Sequence, residues 1–177
     1  AIDCGADAVK FQTFKPSEIT SKYVDNVDYM KQSSNKTNLE ILEELSLPFE
    51  SFRELKKYSK KRNIFFMSTP DGQESLNFLT DELDLSIIKI GSTEITNLNF
   101  IRQIGQKNRS CIMSTGLSTL SEVETAYSVL KDVCKNEIYV LQCTSDYPAA
   151  YHEINLKAML TIREKLGCIV GFSDHSI

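Results

Sequence analysis

The chain has no tryptophan, two histidines, four prolines and seven glycines in 177 residues. Proline and glycine are too scarce for a collagen-like or low-complexity segment. With 41% hydrophobic and 25% charged residues, one soluble globular domain with a real core is expected. Long apolar runs are lacking too. Stretches such as 85–88 fall far short of a bilayer span, and the opening residues show no charged-then-apolar leader pattern. An excess of basic charge is also absent. Twenty Lys and Arg against 24 Asp and Glu leave a net charge of −4, so no basic field awaits nucleic acid and no membrane surface is expected as a partner. The five cysteines (Cys4, Cys111, Cys134, Cys143 and Cys168) are odd in number and include no Cys-X-X-Cys pair. Neither a disulfide framework nor a zinc ribbon fits, and a cytoplasmic location is the expectation. No Gly-rich dinucleotide fingerprint or phosphate loop occurs, so a nucleotide cofactor is not expected.

What is present is a repeated β pattern. Six β-rich runs occupy residues 8–13 (AVKFQT), 64–69 (IFFMST), 85–91 (LSIIKIG), 110–115 (SCIMST), 138–144 (IYVLQCT) and 168–173 (CIVGFS). Most are near-continuous apolar runs, which suits strands covered on both faces in a parallel sheet. Between them lie helical stripes. One is Phe49, Phe52, Leu55 and Tyr58; the next is Leu76, Leu79 and Leu83, followed by the weaker Ile101 and Ile104. Leu120, Val123, Tyr127, Leu130 and Cys134 follow, with Thr119 and Glu122 spaced as a capping box. Leu156, Met159, Leu160, Ile162 and Leu166 close the set, with Gly167 as the stop. From the second run onward, strand starts are 21, 25, 28 and 30 residues apart, a β-helix-β rhythm that implies parallel strands and right-handed crossovers. The first crossover is longer and is expected to hold a loop through Asn38, a short helix over 39–45 and another beginning near Pro48.

Each apolar run ends in polar residues. They are Lys10, Gln12 and Thr13; Ser68 and Thr69; Lys89, Ser92, Thr93 and Glu94; Ser114 and Thr115; Gln142, Thr144 and Ser145; and Ser173, Asp174 and His175. Ligands of α/β folds bind at the carboxyl ends of strands, so six such ends read as one converging site. Ser, Thr and Gly are also ordinary loop formers. That bland reading does not cover Lys10, Gln12 and Lys89, which stand inside apolar strands where a charge is costly unless paired. Two lysines among hydroxyls suit a small phosphate or carboxylate. Glu94 is open between a structural ion pair and handling a substrate hydroxyl or proton. His175 is open between a hydrogen-bonded structural residue and a metal ligand, and Tyr147 between lining the pocket and packing. His152 reads as surface, and Cys143 as a small buried hydrophobe.

Six segments in order carry a resemblance: Gly5-Ala6-Asp7-Ala8-Val9-Lys10-Phe11-Gln12; Ser68-Thr69-Pro70; Lys89-Ile90-Gly91-Ser92-Thr93-Glu94-Ile95-Thr96-Asn97; Met113-Ser114-Thr115-Gly116; Gln142-Cys143-Thr144-Ser145-Asp146-Tyr147-Pro148; and Gly171-Phe172-Ser173-Asp174-His175. Together they resemble the sialic acid (N-acetylneuraminate) synthase family over essentially the whole chain. The resemblance implies a (β/α)8 TIM barrel that condenses phosphoenolpyruvate with an N-acetylmannosamine-type amino sugar and releases phosphate. It also implies a divalent metal, Mn²⁺ or Mg²⁺, and a homodimer for the full-length protein. Lys10, Thr69, Lys89, Ser92, Ser114 and Ser173 would hold phosphoenolpyruvate, while Gln12, Glu94 and Tyr147 would face the sugar, with Ser145 in the same substrate-binding set. Lys10, Lys89 and Glu94 would carry the catalysis, and His175 would be one of two histidine metal ligands.

A complete barrel takes eight strands in ~250 residues, against the six strands here. Residues 1–177 are therefore expected to be a partial TIM-barrel catalytic domain. The family's first strand with its Glu, the eighth with its second His, and a C-terminal antifreeze-like domain would lie outside the piece. Gln142 stands where many bacterial members have His. Two rival readings are a Schiff-base pyruvate aldolase using Lys89 or Lys10, and a non-catalytic barrel that binds a sugar or anion.

Overall fold

The computed structural model describes residues 1–21, 23–24 and 36–176. Contacts divide the chain into two units, Ala1–Asp84 and Leu85–Ile177.

The first unit opens with a 3-10 turn at Ile2–Cys4 and then β1 (Ala8–Phe14), α1 (Pro16–Ile19), α2 (Asn38–Leu45), α3 (Phe49–Lys61), β2 (Phe65–Asp71) and α4 (Gln73–Asn77), the last continuing as a π-helical turn at Phe78–Glu82. β1 and β2 are parallel, with Lys10 opposite Met67 and Gln12 opposite Thr69. The expected loop before Asn38 falls partly outside the described residues. Thr37 caps α2 in a reciprocal box with Glu40, and Pro48 is the N-cap of α3. Successive strand residues point to opposite faces. One face of the pair carries Phe11, which stacks on Phe66 at 5.4 Å and meets Phe52 of α3 edge-on at 6.4 Å. In α3 the buried positions are Phe52 and Ser59, while Tyr58 is exposed, so the expected stripe is narrower than its apolar residues suggest.

The second unit repeats one motif. β3 (Ile87–Ile90) leads through a 3-10 turn (Ser92–Glu94) to α5 (Leu98–Gln106), and β4 (Ser110–Ser114) leads to α6 (Leu120–Val133). Next, β5 (Ile138–Cys143) runs through a 3-10 turn (Tyr151–Glu153) to α7 (Ala158–Leu166), and β6 (Ile169–Ser173) follows. β3–β4, β4–β5 and β5–β6 all pair in parallel, the β/α order of a TIM-barrel segment. The Thr119–Glu122 capping box is formed, and Gly167 ends α7 in the left-handed conformation at φ 61°. Asn108, also at positive φ, follows the end of α5. In α7 only Ile162 is buried; Leu160, and Leu156 ahead of the helix, are exposed, unlike the expected stripe.

The pleat separates two faces. Ile88, Ile90, Cys111, Met113, Ile138 and Val140 share one face with buried side chains, and the helices supply Phe100, Ile101, Ile104, Val123, Ala126, Leu130 and Ile162 to the same core. Lys89, Ile112, Ser114, Leu141, Cys143 and Ser173 fall on the other face by register. No described helix is long and apolar enough to cross a membrane.

Candidate functional site

Lys89 sits in the middle of an aliphatic strand and is only 7% exposed. A buried ammonium requires acceptors. Its Nζ donates to the Ile90 carbonyl at 2.8 Å and to Ser114 Oγ at 2.5 Å. The neighbouring strand thus fixes the head of Lys89 at the carboxyl end of the sheet.

One step along the chain, the loops after β3, β4 and β5 meet. Ser92 Oγ lies 3.4 Å from Ser145 Oγ. Gly116 lies between them with φ 54°, and a Cβ there would come within 2.3 Å of Ser92 Cβ and 2.6 Å of Ser145 Oγ. Only glycine allows this approach of the two hydroxyls. Glu94 accepts a hydrogen bond from Asn97 Nδ2 at 2.8 Å, while Asn97 Oδ1 caps α5 through the Phe100 N–H. Its carboxylate is oriented by a helix cap rather than by the lysine pairing that was one of the two expectations.

The third group is built on β5 and β6. His175 Nδ1 donates to the Thr144 carbonyl at 2.7 Å, which leaves the Nε2 lone pair facing Ser173 Oγ and Tyr147 OH, each at 3.3 Å. The Tyr147 ring stacks on the imidazole at 4.2 Å, and the Ala149 N–H donates to the His175 carbonyl at 2.9 Å. The Tyr147–Pro148 peptide is cis. Asp174 accepts from the Ser176 N–H at 2.9 Å, which holds its carboxyl below the usual range and closes the turn carrying His175. The hydrogen-bonded structural reading of His175 therefore holds for Nδ1, and Nε2 faces two hydroxyls.

Register joins these groups. Ser114 lies opposite Leu141 and Cys143 opposite Ser173, so Lys89, Ser114, Cys143 and Ser173 share the face away from the helices, and His175 contacts that face through Ser173 and Cys143. The second unit thus holds three groups at the carboxyl ends of its strands, Lys89 with Ser114, Ser92 with Ser145, and His175 with Tyr147 and Ser173, with Glu94 at the end of the turn that carries Ser92. The remaining three residues form a group in the first unit. Lys10, Gln12 and Thr69 share one face of β1 and β2, with Gln12 Nε2 3.5 Å from Asp71 Oδ2. Lys10 keeps part of its side chain in solvent, yet desolvation lowers its pKa below the ordinary lysine value, offset in part by Asp71.

Several polar strand ends do not join. Thr13 and Ser68 bond each other at 2.7 Å on the opposite, buried face of β1 and β2. Thr115 and Gln142 fall on the helix-facing side, where Gln142 Nε2 donates to the Ile154 carbonyl at 3.2 Å. Three residues were missed. Cys143 is buried as expected, but its Sγ lies 3.8 Å from both ring nitrogens of His175, a contact between residues 32 apart in sequence. Asp71 follows from the β1–β2 register alone. Gly116 was readable as a glycine after a strand, though not as the spacer between two serines.

Known proteins resemble this chain in sequence and in fold. Over 183 residues the chain is 42% identical to N,N'-diacetyllegionaminic acid synthase of Campylobacter jejuni, covering 99% of this chain and 54% of that protein. It is 33% identical to pseudaminic acid synthase of the same species over 97% of this chain and 50% of that one. The crystal structure of an N-acetylneuraminic acid synthetase from Leptospira borgpetersenii in complex with citrate superposes with a TM-score of 0.83 at 31% identity, covering 98% of this chain and 56% of that one. The chain spans about half the length of the curated relatives it matches. The NeuB family model matches residues 1–177, and the chain belongs to the NeuB family.

Proposed function

We propose that this chain is the substrate-binding part of a nonulosonic acid synthase that condenses phosphoenolpyruvate with an N-acetylmannosamine-type amino sugar and releases phosphate. The observation that carries the reading is Lys89, a buried ammonium anchored by Ser114 on the helix-free face of an otherwise aliphatic strand. A cation held by the Ser114 hydroxyl, with Ser173 on the same face and Ser92 and Ser145 in the loops that follow the strands, offers the donor types that a phosphate or carboxylate requires. The family resemblance would add Lys10 and Thr69 as phosphoenolpyruvate ligands and Gln12, Glu94 and Tyr147 as sugar ligands. The names of the relatives support the product class, and the citrate-bound neighbour supports a site for a small polyanion.

In this reading carbon 3 of the enol attacks the aldehyde carbon of the open-chain sugar. Water adds at carbon 2, and the resulting tetrahedral centre expels phosphate. Lys89 and the serine hydroxyls hold the phosphate and carboxylate charges in place throughout, which is the main catalytic contribution of the chain. Glu94, held by Asn97, accepts a hydrogen bond from a sugar hydroxyl, and the proton lost by the added water balances the one gained by the former aldehyde oxygen. His175 fits a metal ligand, because Nδ1 is committed to a backbone carbonyl and Nε2 keeps its lone pair. No three His, Cys, Asp or Glu side chains gather as a metal cluster among the described residues, and His175 would be one ligand of such an ion. A bound Mn²⁺ or Mg²⁺ supplies Lewis-acid polarisation of the sugar carbonyl.

The test is to assay the full-length protein with phosphoenolpyruvate and a panel of amino sugars, following phosphate with and without Mn²⁺. The identity to a diacetyllegionaminic acid synthase makes a diacetamido sugar the first to try beside N-acetylmannosamine. Sugar-dependent phosphate release that EDTA abolishes is expected. Borohydride trapping of pyruvate on Lys89 or Lys10, without phosphate release, would replace the reading with a Schiff-base aldolase.

A further inference from the structure

The amino end of the sheet in the second unit holds reactive side chains that the synthase reading leaves unused. Cys111 lies on the helix-facing side of β4 and is fully buried, while Cys134 is the C-cap of α6 and 7% exposed. Asn108 ties the two loops together: its Oδ1 accepts from the Lys135 N–H at 3.1 Å and its carbonyl from Asn136 Nδ2 at 2.6 Å. Both thiols converge on the Arg109 carbonyl, at 3.4 Å for Cys111 and 3.2 Å for Cys134, so one carbonyl oxygen gathers the two sulfurs. Beside Cys134 opens a cavity of about 380 Å³ whose lining includes Lys131, Lys135, Glu137 and Cys168.

We propose that Cys111 and Cys134 form a dithiol site that exchanges with a small anionic disulfide of the glutathione class entering through this cavity. Cys134 is the attacking group and Cys111 the resolving one. The cavity reaches Cys134, whereas Cys111 sits behind it. The interaction with Cys111 pulls the Cys134 thiol down to about 6, and the same interaction with burial pushes Cys111 up. Lys131 and Lys135 offer cations to the carboxylates of the disulfide, while Glu137 limits how much negative charge the cavity accepts. Cys168 lines the same cavity, but burial raises its pKa, so it is the weaker nucleophile.

The exchange balances without a further oxidant. The Cys134 thiolate forms a bond to one sulfur of the small disulfide; the disulfide bond breaks, and the leaving thiolate takes a proton from solvent. Cys111 then gives up its proton and attacks Cys134 Sγ, expelling the second small thiol. Two cysteines are oxidised to one intrachain disulfide, and one small disulfide is reduced to two thiols.

The experiment treats the reduced full-length protein with oxidised glutathione and maps cysteine peptides by mass spectrometry. A Cys111–Cys134 linked peptide with no retained glutathione is expected, reversed by dithiothreitol. Cys134 should be consumed about tenfold or more faster than Cys168. In Cys111→Ser, glutathione should remain attached to Cys134. The parent protein's peptide map decides the matter even if that variant does not fold. Modification of Cys168 with Cys134 untouched, or a stable glutathione adduct on Cys134 beside a free Cys111 in the parent, would overturn the proposal.

Discussion

Strands β3 to β6 carry two interleaved sets of residues, and their two faces behave as different materials. The helix-facing set (Ile88, Ile90, Cys111, Met113, Ile138 and Val140) is apolar and sealed from solvent. The opposite set includes Lys89, Ser114, Cys143 and Ser173, whose polar atoms bond one another or His175. Adjacent residues on one strand therefore serve different ends. The aliphatic face stabilises the unit through burial, and the polar face holds charge in a fixed place at some cost in desolvation. Placing chemistry on alternate residues of rigid strands keeps a buried cation within reach of its hydroxyls without weakening the core behind it.

The sharpest way to break this comparison is to mutate neighbours. In the full-length protein, Lys89→Ala should lower kcat/KM for phosphoenolpyruvate by about 100-fold or more, as expected for loss of a preorganised charge donor, with the melting temperature kept. Ile90→Ala should do the reverse, costing about 2–5 kcal/mol of stability while the folded fraction retains its kcat/KM. Denaturant titration and steady-state kinetics on both proteins separate the two; matching phenotypes would dissolve the distinction between faces.

A smaller effect tests the loop layer above the strands. Gly116→Ala forces a methyl group against Ser92 and Ser145, and kcat/KM should fall by about tenfold through displaced hydroxyls. The left-handed φ adds about 1 kcal/mol of backbone strain. A variant with unchanged kinetics would remove Ser92 and Ser145 from the anion set.

The smallest effects belong to the scaffold. Thr119→Ala should cost about 1 kcal/mol in denaturant titration and leave kinetics alone. The Thr119 backbone and side chain hold Glu122 below the usual carboxylate range, and Thr37 does the same for Glu40. Each acid's folded pKa is depressed, so its contribution is complete above the ordinary glutamate value and is lost as pH falls through the lower folded one. The acid limb of a pH–stability curve should therefore be shallower in Thr119→Ala than in the parent.

Much of the fold was legible because the strands repeat with helical stripes between them, and both capping boxes show their S/T-x-x-E spacing. Thr37 and Glu40 were as readable as Thr119 and Glu122. Lys89 was legible because a charge in an aliphatic strand has few structural excuses. The exposure of Tyr58, Leu156 and Leu160 was not, since an apolar residue on a stripe is buried only where something packs on it. Nor was the sorting of polar strand ends. Whether Thr115 or Ser114 meets Lys89 depends on the pleat, and a one-residue change of strand phase reverses the answer. The Cys143–His175 contact needs the β5–β6 register, which no local pattern encodes.

The claim at the centre is that Lys89 is the fixed cation of an anion site. Calorimetric titration of phosphoenolpyruvate into the full-length protein and its Lys89→Gln variant tests it most directly, with Ile88→Val as a control on the other face. The account predicts a Kd raised about tenfold or more in Lys89→Gln and unchanged in Ile88→Val. Equal affinity in the parent and Lys89→Gln would contradict it.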